Sequence, residues 1–459
     1  MTLYIIMALI FLAGVLAIAL EDVLKINKAA IAVGMCILLW VLTILEAAGL
    51  FMSDTATFFQ SVLGKLPEAF QATASARIEE FVEKALTASL GDVATTLFFV
   101  LASMTIIEIL DAHGSFTVIT KAITATSKRK LLWIFSWLTF LFSAVLGNLA
   151  TVIVMVAVVR KLVARREDIL IYASMMIIAA GAGGSWSPIG DVTTLLLWTG
   201  KNLTATHQIG SLLLPAVVMM VVPLSLCTLM FKRGEVVEAP ALPTAEASSL
   251  ASVTPQFRKT LLVIGLSSLA LVPVLQGAVG LPPFMGVLLG MVVLWVVTDI
   301  HSARHQGEGV SLKVSNLFSR LDLSTILFFL GILMSVKALG VVGLLDLMST
   351  GLSSLFSEPN IIAFLLGICS SFLDNVALVA ATMGMYPLQE LGVFATDGSF
   401  WTFIAYCCVA GGSILIIGSA AGVTVMGLEK ISFGYYFKRF TPLALLGYCA
   451  GAAVYLLLM

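Results

Sequence analysis

The run from Ile169 to Trp198 is apolar and long enough to cross a bilayer, yet it carries GAGGSWSPIGDVTT, Gly181 to Thr194, in its middle. Helix rises about 1.5 Å per residue, so a run of this length exceeds a hydrocarbon core of about 30 Å. Gly183, Gly184 and Pro188 oppose a continuous helix, because glycine costs up to about 1 kcal/mol in a helix interior and proline removes a backbone donor. The run therefore has to break at membrane depth. Unwound backbone is tolerated there only against protein or a wet cavity, and half-helix ends facing such a cavity are ready-made ion sites. Asp191 stands where the second half restarts. A capping aspartate at a kink is the plainer reading, but the cost of intramembrane charge favours a functional carboxylate.

With 60% hydrophobic and 11% charged residues and a mean hydropathy of +1.08, the chain reads as a polytopic membrane protein and not as a soluble enzyme. Its net charge of -1 implies no nucleic-acid partner. Cys36, Cys227, Cys369, Cys407, Cys408 and Cys449 lie in apolar runs without CxxC spacing and read as small core residues. His113, His207, His301 and His305 fall at helix ends or in loops and form no HExxH pair, which argues against a metalloenzyme. The apolar run Met1 to Leu20 has no basic residue before it and reads as an uncleaved first span.

Apolar runs place spans at residues 2–20, 29–50, 93–111, 169–199, 211–231, 260–279, 283–299, 323–342, 400–427 and 441–458, those at 169–199 and 400–427 broken. Leu131 to Val163 is divided at Gly147-Asn148 into arms of about sixteen residues, roughly 24 Å each and too short to cross comfortably. Ile361 to Leu388 is divided at Asp374-Asn375. Each reads as a re-entrant hairpin with a polar tip at depth. The polar stretch Ser53 to Asp92 contains an amphipathic helical candidate, Ala76 to Leu86.

Internal comparison strengthens this. AGGSWSPIGD, Ala182 to Asp191, aligns without gaps on AGGSILIIGS, Ala410 to Ser419, 228 residues later. The hairpin tips Asn148 and Asn375 are 227 apart, and the pairs Phe98-Phe99 and Phe328-Phe329 are 230 apart. The first hairpin is flanked by Ser127 to Lys130 (SKRK) and by Arg160, Lys161, Arg165 and Arg166, the second by Glu358, Glu390 and Asp397. By the positive-inside rule they open to opposite sides. The expected fold is thus an all-α polytopic membrane protein of two inverted-topology repeats, each with a re-entrant hairpin and a broken transmembrane helix, both termini outside. In chain order we expect scaffold spans and an external polar segment (1–92), the first repeat (93–210) and further scaffold spans (211–322) with a flexible cytoplasmic linker at 234–255. The second repeat (323–430) and an interfacial segment with the last span (431–459) follow.

Inverted repeats bring tips and breaks together near the midplane. Gathered there would be Asn148, Thr151, Asp191, Thr193, Thr194, Ser370, Asp374, Asn375, Ser413 and Ser419. This all-oxygen set with two carboxylates suits a hard cation such as sodium, and a carboxylate in a low dielectric can trade a cation for a proton. Singly, Ser, Thr and Asn are common helix-helix glue. Glu108 and Lys337, 229 residues apart, are further ionisable candidates that inverted symmetry sends toward opposite faces. Lys337 reads as a proton carrier, as a countercharge to Asp374, or as a side chain snorkelling to the interface.

GGSWSPIGDVTTLLLW, the ILDAHG of Ile109 to Gly114 and the SSFLDN of Ser370 to Asn375 resemble the NhaD-type sodium/proton antiporters of the ion transporter superfamily. The likeness runs from about Ile78 over nearly the whole remaining chain. It implies exchange of sodium or lithium for protons across a bacterial inner membrane, no cofactor, and a homodimer in the bilayer whose mobile transport domain moves like an elevator against a scaffold. The same ten positions would form the site. The chain departs from the family pattern at Gly147, where an aspartate is implied, at Gly181, where an asparagine is, and at Ile416, where a serine is.

The alternative is an anion transporter of the same superfamily, for a dicarboxylate or other anion, since polar tips and half-helix N-termini suit an anion. Asp191 and Asp374 would repel one, however. A membrane-embedded enzyme or scaffold is disfavoured by the repeat and by the missing catalytic sets.

Overall fold

The computed structural model describes residues 2–19, 21–47, 74–118, 123, 126–232, 234–238, 254–304 and 314–459. In chain order the helices are α1 (Thr2–Ala19), α2 (Lys28–Ala47), α3 (Ala74–Ala112), α4 (Lys128–Leu146), α5 (Asn148–Leu162), α6 (Arg166–Ser185), α7 (Val192–Thr199), α8 (Ala205–Thr228), α9 (Pro255–Val279) and α10 (Pro283–Arg304). They continue as α11 (Leu323–Val341), α12 (Leu344–Leu355), α13 (Pro359–Cys369), α14 (Asn375–Met385), α15 (Ser399–Gly411), α16 (Ala420–Glu429), α17 (Phe433–Arg439) and α18 (Thr441–Leu458). Among the described residues nine helices are long and apolar enough to cross a membrane. The chain is an all-α multi-pass membrane protein.

Both expected breaks are present. Helix stops at Ser185 and restarts at Val192, and stops at Gly411 and restarts at Ala420. Both polar tips also start helices, Asn148 opening α5 and Asn375 opening α14.

Several expectations need correction. The first arm of the Gly147 hairpin is not short: α4 has 19 residues and is by itself long and apolar enough to cross. The span expected at 93–111 and the amphipathic candidate Ala76 to Leu86 are one helix, α3, of 39 residues. Glutamate and lysine are good helix formers, so the polar stretch prolongs the helix instead of ending it. The rest of that stretch, up to residue 73, lies outside the described residues, as do 239–253 of the linker and His305. The start of the linker is fastened down, with Lys128 N donating to Glu235 O at 3.0 Å, Val237 N to Thr126 O at 2.8 Å and Ala164 N to Glu238 O at 2.9 Å. Its far end, Pro255, already opens α9 behind a Thr254 cap. Cys369 and Cys449 are exposed and so are not core residues. An apolar run in a membrane protein can face lipid as readily as protein, which removes the usual inside-outside signal.

The helices gather into two compact units. One comprises residues 1–97, 322–362 and 376–388. In it α2 packs along α11 so closely that a side-chain carbon on Gly331 would lie 2.6 Å from Val33 N, and Trp40 Nε1 donates to Met334 O at 2.9 Å.

The other unit comprises residues 98–321, 363–375 and 389–459 and is built around α6. This helix packs against α4, α5, α8, α15 and α16, and every residue from Ile171 to Ser185 is buried. Two ties recur at the offsets read from the sequence. Ser143 Oγ reaches Ala180 O at 2.7 Å, and Ser370 Oγ reaches Cys408 O at 2.7 Å. A Cβ on Gly183 would lie 2.9 Å from the carbonyl carbon of Phe140, and one on Gly411 2.6 Å from that of Gly367. Helices α4 and α6, and likewise α13 and α15, thus approach backbone to backbone at matching positions.

This packing predicts that Gly183→Ala and Gly411→Ala each cost about 1–3 kcal/mol by overpacking. Gly210→Ala, whose added carbon meets nothing within 4 Å, should be neutral or gain up to about 1 kcal/mol of helix propensity. Thermal unfolding of the three variants in detergent checks the order.

Candidate functional site

Asp191 is the N-cap of α7, the half helix after the first break. A helix N-terminus leaves backbone donors without partners, and a side-chain oxygen at the cap takes one up. Asp191 Oδ1 accepts from Thr193 N at 2.9 Å, while the Thr194 hydroxyl bonds back to the Asp191 backbone, at 3.2 Å from N and 2.9 Å from O. Both threonines are fully buried. The capping reading of Asp191 is therefore correct, and it is not the whole of its environment.

Three more donors converge on the carboxylate. The Thr193 hydroxyl donates to Oδ1 at 2.7 Å, Asn375 Nδ2 to Oδ1 at 3.4 Å, and Asn148 Nδ2 to Oδ2 at 2.5 Å. The two asparagine tips thus meet on one carboxylate, and Asp374 lies near enough for its charge to act on that of Asp191. Each of these donors is neutral. A carboxylate held by neutral dipoles keeps its attraction for a cation or a proton, which an arginine partner would cancel.

Asn148 is aimed by Ser143, whose Oγ lies 2.5 Å from Asn148 Oδ1 as well as 2.7 Å from Ala180 O; its single proton serves one at a time. Ser143 was absent from the sequence-derived set. The sequence points to Ser370, and the 227-residue offset carries it back to Ser143, so the signal lies in the sequence. One helical turn beyond Asn148, the Thr151 hydroxyl is buried with no hydrogen-bond partner among the described residues. An orphaned buried hydroxyl costs about 1–3 kcal/mol unless something else takes it up.

The remaining candidates stand apart from this knot. Ser370 is spent on the tie to Cys408, Ser413 donates to Ala410 O at 2.7 Å within its own helix turn, and Ser419 caps α16 by accepting from Gly422 N at 3.1 Å. Ser419 thus does for α16 what Asp191 does for α7, without a charge. Ser413 occupies the space beside Gly181, where a Cβ would lie 3.2 Å from that of Ser413. Glu108 pairs with Arg320 at 3.7 Å and Lys337 with Asp92 at 2.8 Å, the lysine side chain 45% exposed. Lys337 is no buried carrier; the snorkelling reading describes it.

Gly147, between α4 and α5, has φ 83° and ψ 158°, a region essentially reserved for glycine. Any side chain there strains the backbone, although the space beyond is open, with Gly190 O the nearest atom at 3.9 Å.

The comparisons with known proteins bear on this geometry. The family model CitMHS, described as citrate transporter, matches residues 7–398. The chain belongs to this family, as an NhaD-type member of the ion transporter superfamily. It is 39% identical over 448 residues, 96% of its own length and 76% of the relative's, to "Sodium/proton antiporter 1" of Arabidopsis thaliana. It is 29% identical to the "Na(+)/H(+) antiporter NhaD" of Alkalimonas amylolytica over 83% of this chain and 80% of that one. In fold it is similar to the YdaH transporter of Alcanivorax borkumensis, with a TM-score of 0.54 at 13% identity over 92% of this chain and 97% of that one. Membership makes this NhaD-type chain a secondary transporter and not an enzyme.

Gly147→Ala and Gly147→Asp should both lose about 1–3 kcal/mol to the backbone alone. Melting temperatures measured side by side check this: equal losses show that the strain is conformational, and only the aspartate adds a carboxylate to the tip.

Proposed function

We propose that the protein exchanges sodium or lithium for protons across the inner membrane of a bacterial cell, as a homodimer working by an elevator-like form of alternating access. The observation that carries this reading is a carboxylate, Asp191, reached by both asparagine tips and held, among the described residues, by neutral donors alone. The sodium/proton antiport after which the relatives are named supports sodium and protons as the ions.

In this mechanism the cation and the proton compete for Asp191 and Asp374, so each displaces the other. Asn148 and Asn375 serve either state, because an amide that donates its NH2 to a bare carboxylate can turn its oxygen to a cation. The Thr151 hydroxyl supplies a further oxygen. Glu108 and Lys337 stay outside the site. The anion-carrying alternative draws on the citrate-transporter description of the matched family. It requires an anion to settle between two carboxylates with no cationic donor to Asp191, which electrostatics opposes.

Exchange measured in proteoliposomes across pH 6.5 to 9 at several sodium concentrations tests the mechanism. Apparent sodium affinity should fall as pH falls, by up to about tenfold per unit for each competing proton. Asp191→Asn and Asp374→Asn should abolish exchange while the protein still folds. A sodium affinity independent of pH, or normal exchange by both variants, overturns it, and uptake of labelled succinate would favour the anion reading.

The inverted arrangement of the two halves, with both termini outside, is part of the same proposal and rests on the opposite charges flanking the two hairpins. Single cysteines at Ser127 and Ser357 in a cysteine-free background should react with a membrane-impermeant maleimide from opposite sides. Labelling from one side only would sink it.

A further inference from the structure

Four candidate spans end around one cavity of about 630 Å³. Those of α4 and α6 begin there at Lys128 and Arg166, that of α8 ends there at Thr228, and that of α18 begins at Thr441, just after Arg439. The cavity therefore lies at the level where hydrocarbon gives way to lipid headgroups. Its volume falls within the range of small-ligand sites, about 300–1,000 Å³.

The lining is divided by charge. On the inner wall Lys128 is consumed, buried and paired with Asp168 at 2.9 Å and Glu235 at 3.4 Å. Two guanidiniums are differently placed. Arg165 is half exposed, with Glu167 as a loose partner at 3.9 Å, and Arg439 rests over the Tyr435 ring, 5.1 Å from its centroid. Stacked or weakly paired guanidiniums keep the forked donors that suit a phosphate. Glu167, 86% exposed, supplies an anion beside them. Leu229, Met230, Phe433 and Phe437 nearby in the chain are exposed apolar side chains that acyl chains can cover.

We infer that this cavity binds the headgroup of an aminophospholipid, its phosphate between Arg165 and Arg439 and its ammonium toward Glu167. The mixed charge selects a primary-amine zwitterion: phosphatidylglycerol offers nothing to Glu167, and the quaternary amine of phosphatidylcholine has no N–H to donate. The inference does not depend on which ion is transported.

Delipidated full-length protein titrated with phosphatidylethanolamine, phosphatidylglycerol or phosphatidylcholine, and read by native mass spectrometry, tests it. Phosphatidylethanolamine should bind at least about tenfold more tightly than phosphatidylcholine, and Arg165→Gln with Arg439→Gln should remove that advantage. Glu167→Gln should shift the preference toward phosphatidylglycerol. If the double variant fails to fold, Arg165→Lys with Arg439→Lys, which keeps charge but loses the forked donors, should show a weakened preference. Equal binding of the three lipids, an unchanged preference in either double variant, or displacement of the lipid by millimolar inorganic phosphate overturns the assignment, the last by marking a soluble-anion site.

Discussion

A peptide group without a hydrogen bond costs several kcal/mol in hydrocarbon, and this chain interrupts two apolar runs with non-helical backbone. The cap residues Asp191 and Ser419 take up donors at the restarting halves. The hydroxyls of Ser143, on α4, and of Ser370, just after α13, reach carbonyls on the stopping halves. Gly183 and Gly411 let the backbones come close enough for those bonds to form. The polar cluster around Asp191 follows from this repair, since the groups that satisfy the interrupted backbone are the polar groups gathered there.

The two repairs use the same positions with different charge. Asp191 and Ser419 both cap, but only the first brings an anion, and both Asn148 and Asn375 donate to it. Near-symmetry of the backbone therefore supports an asymmetric electrostatic centre.

The breaks and the tips were legible in the sequence because glycine, proline, asparagine and aspartate are costly inside an apolar run and so stand out from it. The convergence on Asp191 was legible through the internal offset. Ser143 was legible only through its offset partner Ser370, since one serine in a membrane helix otherwise looks like any other. Lys337 misled because a lysine in an apolar run reads as buried, whereas its long stem carried the ammonium out to Asp92. The length of α3 and the exposure of Cys369 and Cys449 escaped for a related reason: hydropathy marks a lipid environment but does not say which face of a helix meets it.

Gly147 bears on how variation in this family should be read. Its backbone conformation is one that only glycine adopts cheaply, so changes at the tip are filtered by the chain's geometry before ion chemistry is consulted. A glycine retained there across relatives would record a steric veto and not a preference for a particular ion. A lineage that carries a carboxylate at this point must first have reshaped the turn, so that loss and regain of the acid are unequal evolutionary steps.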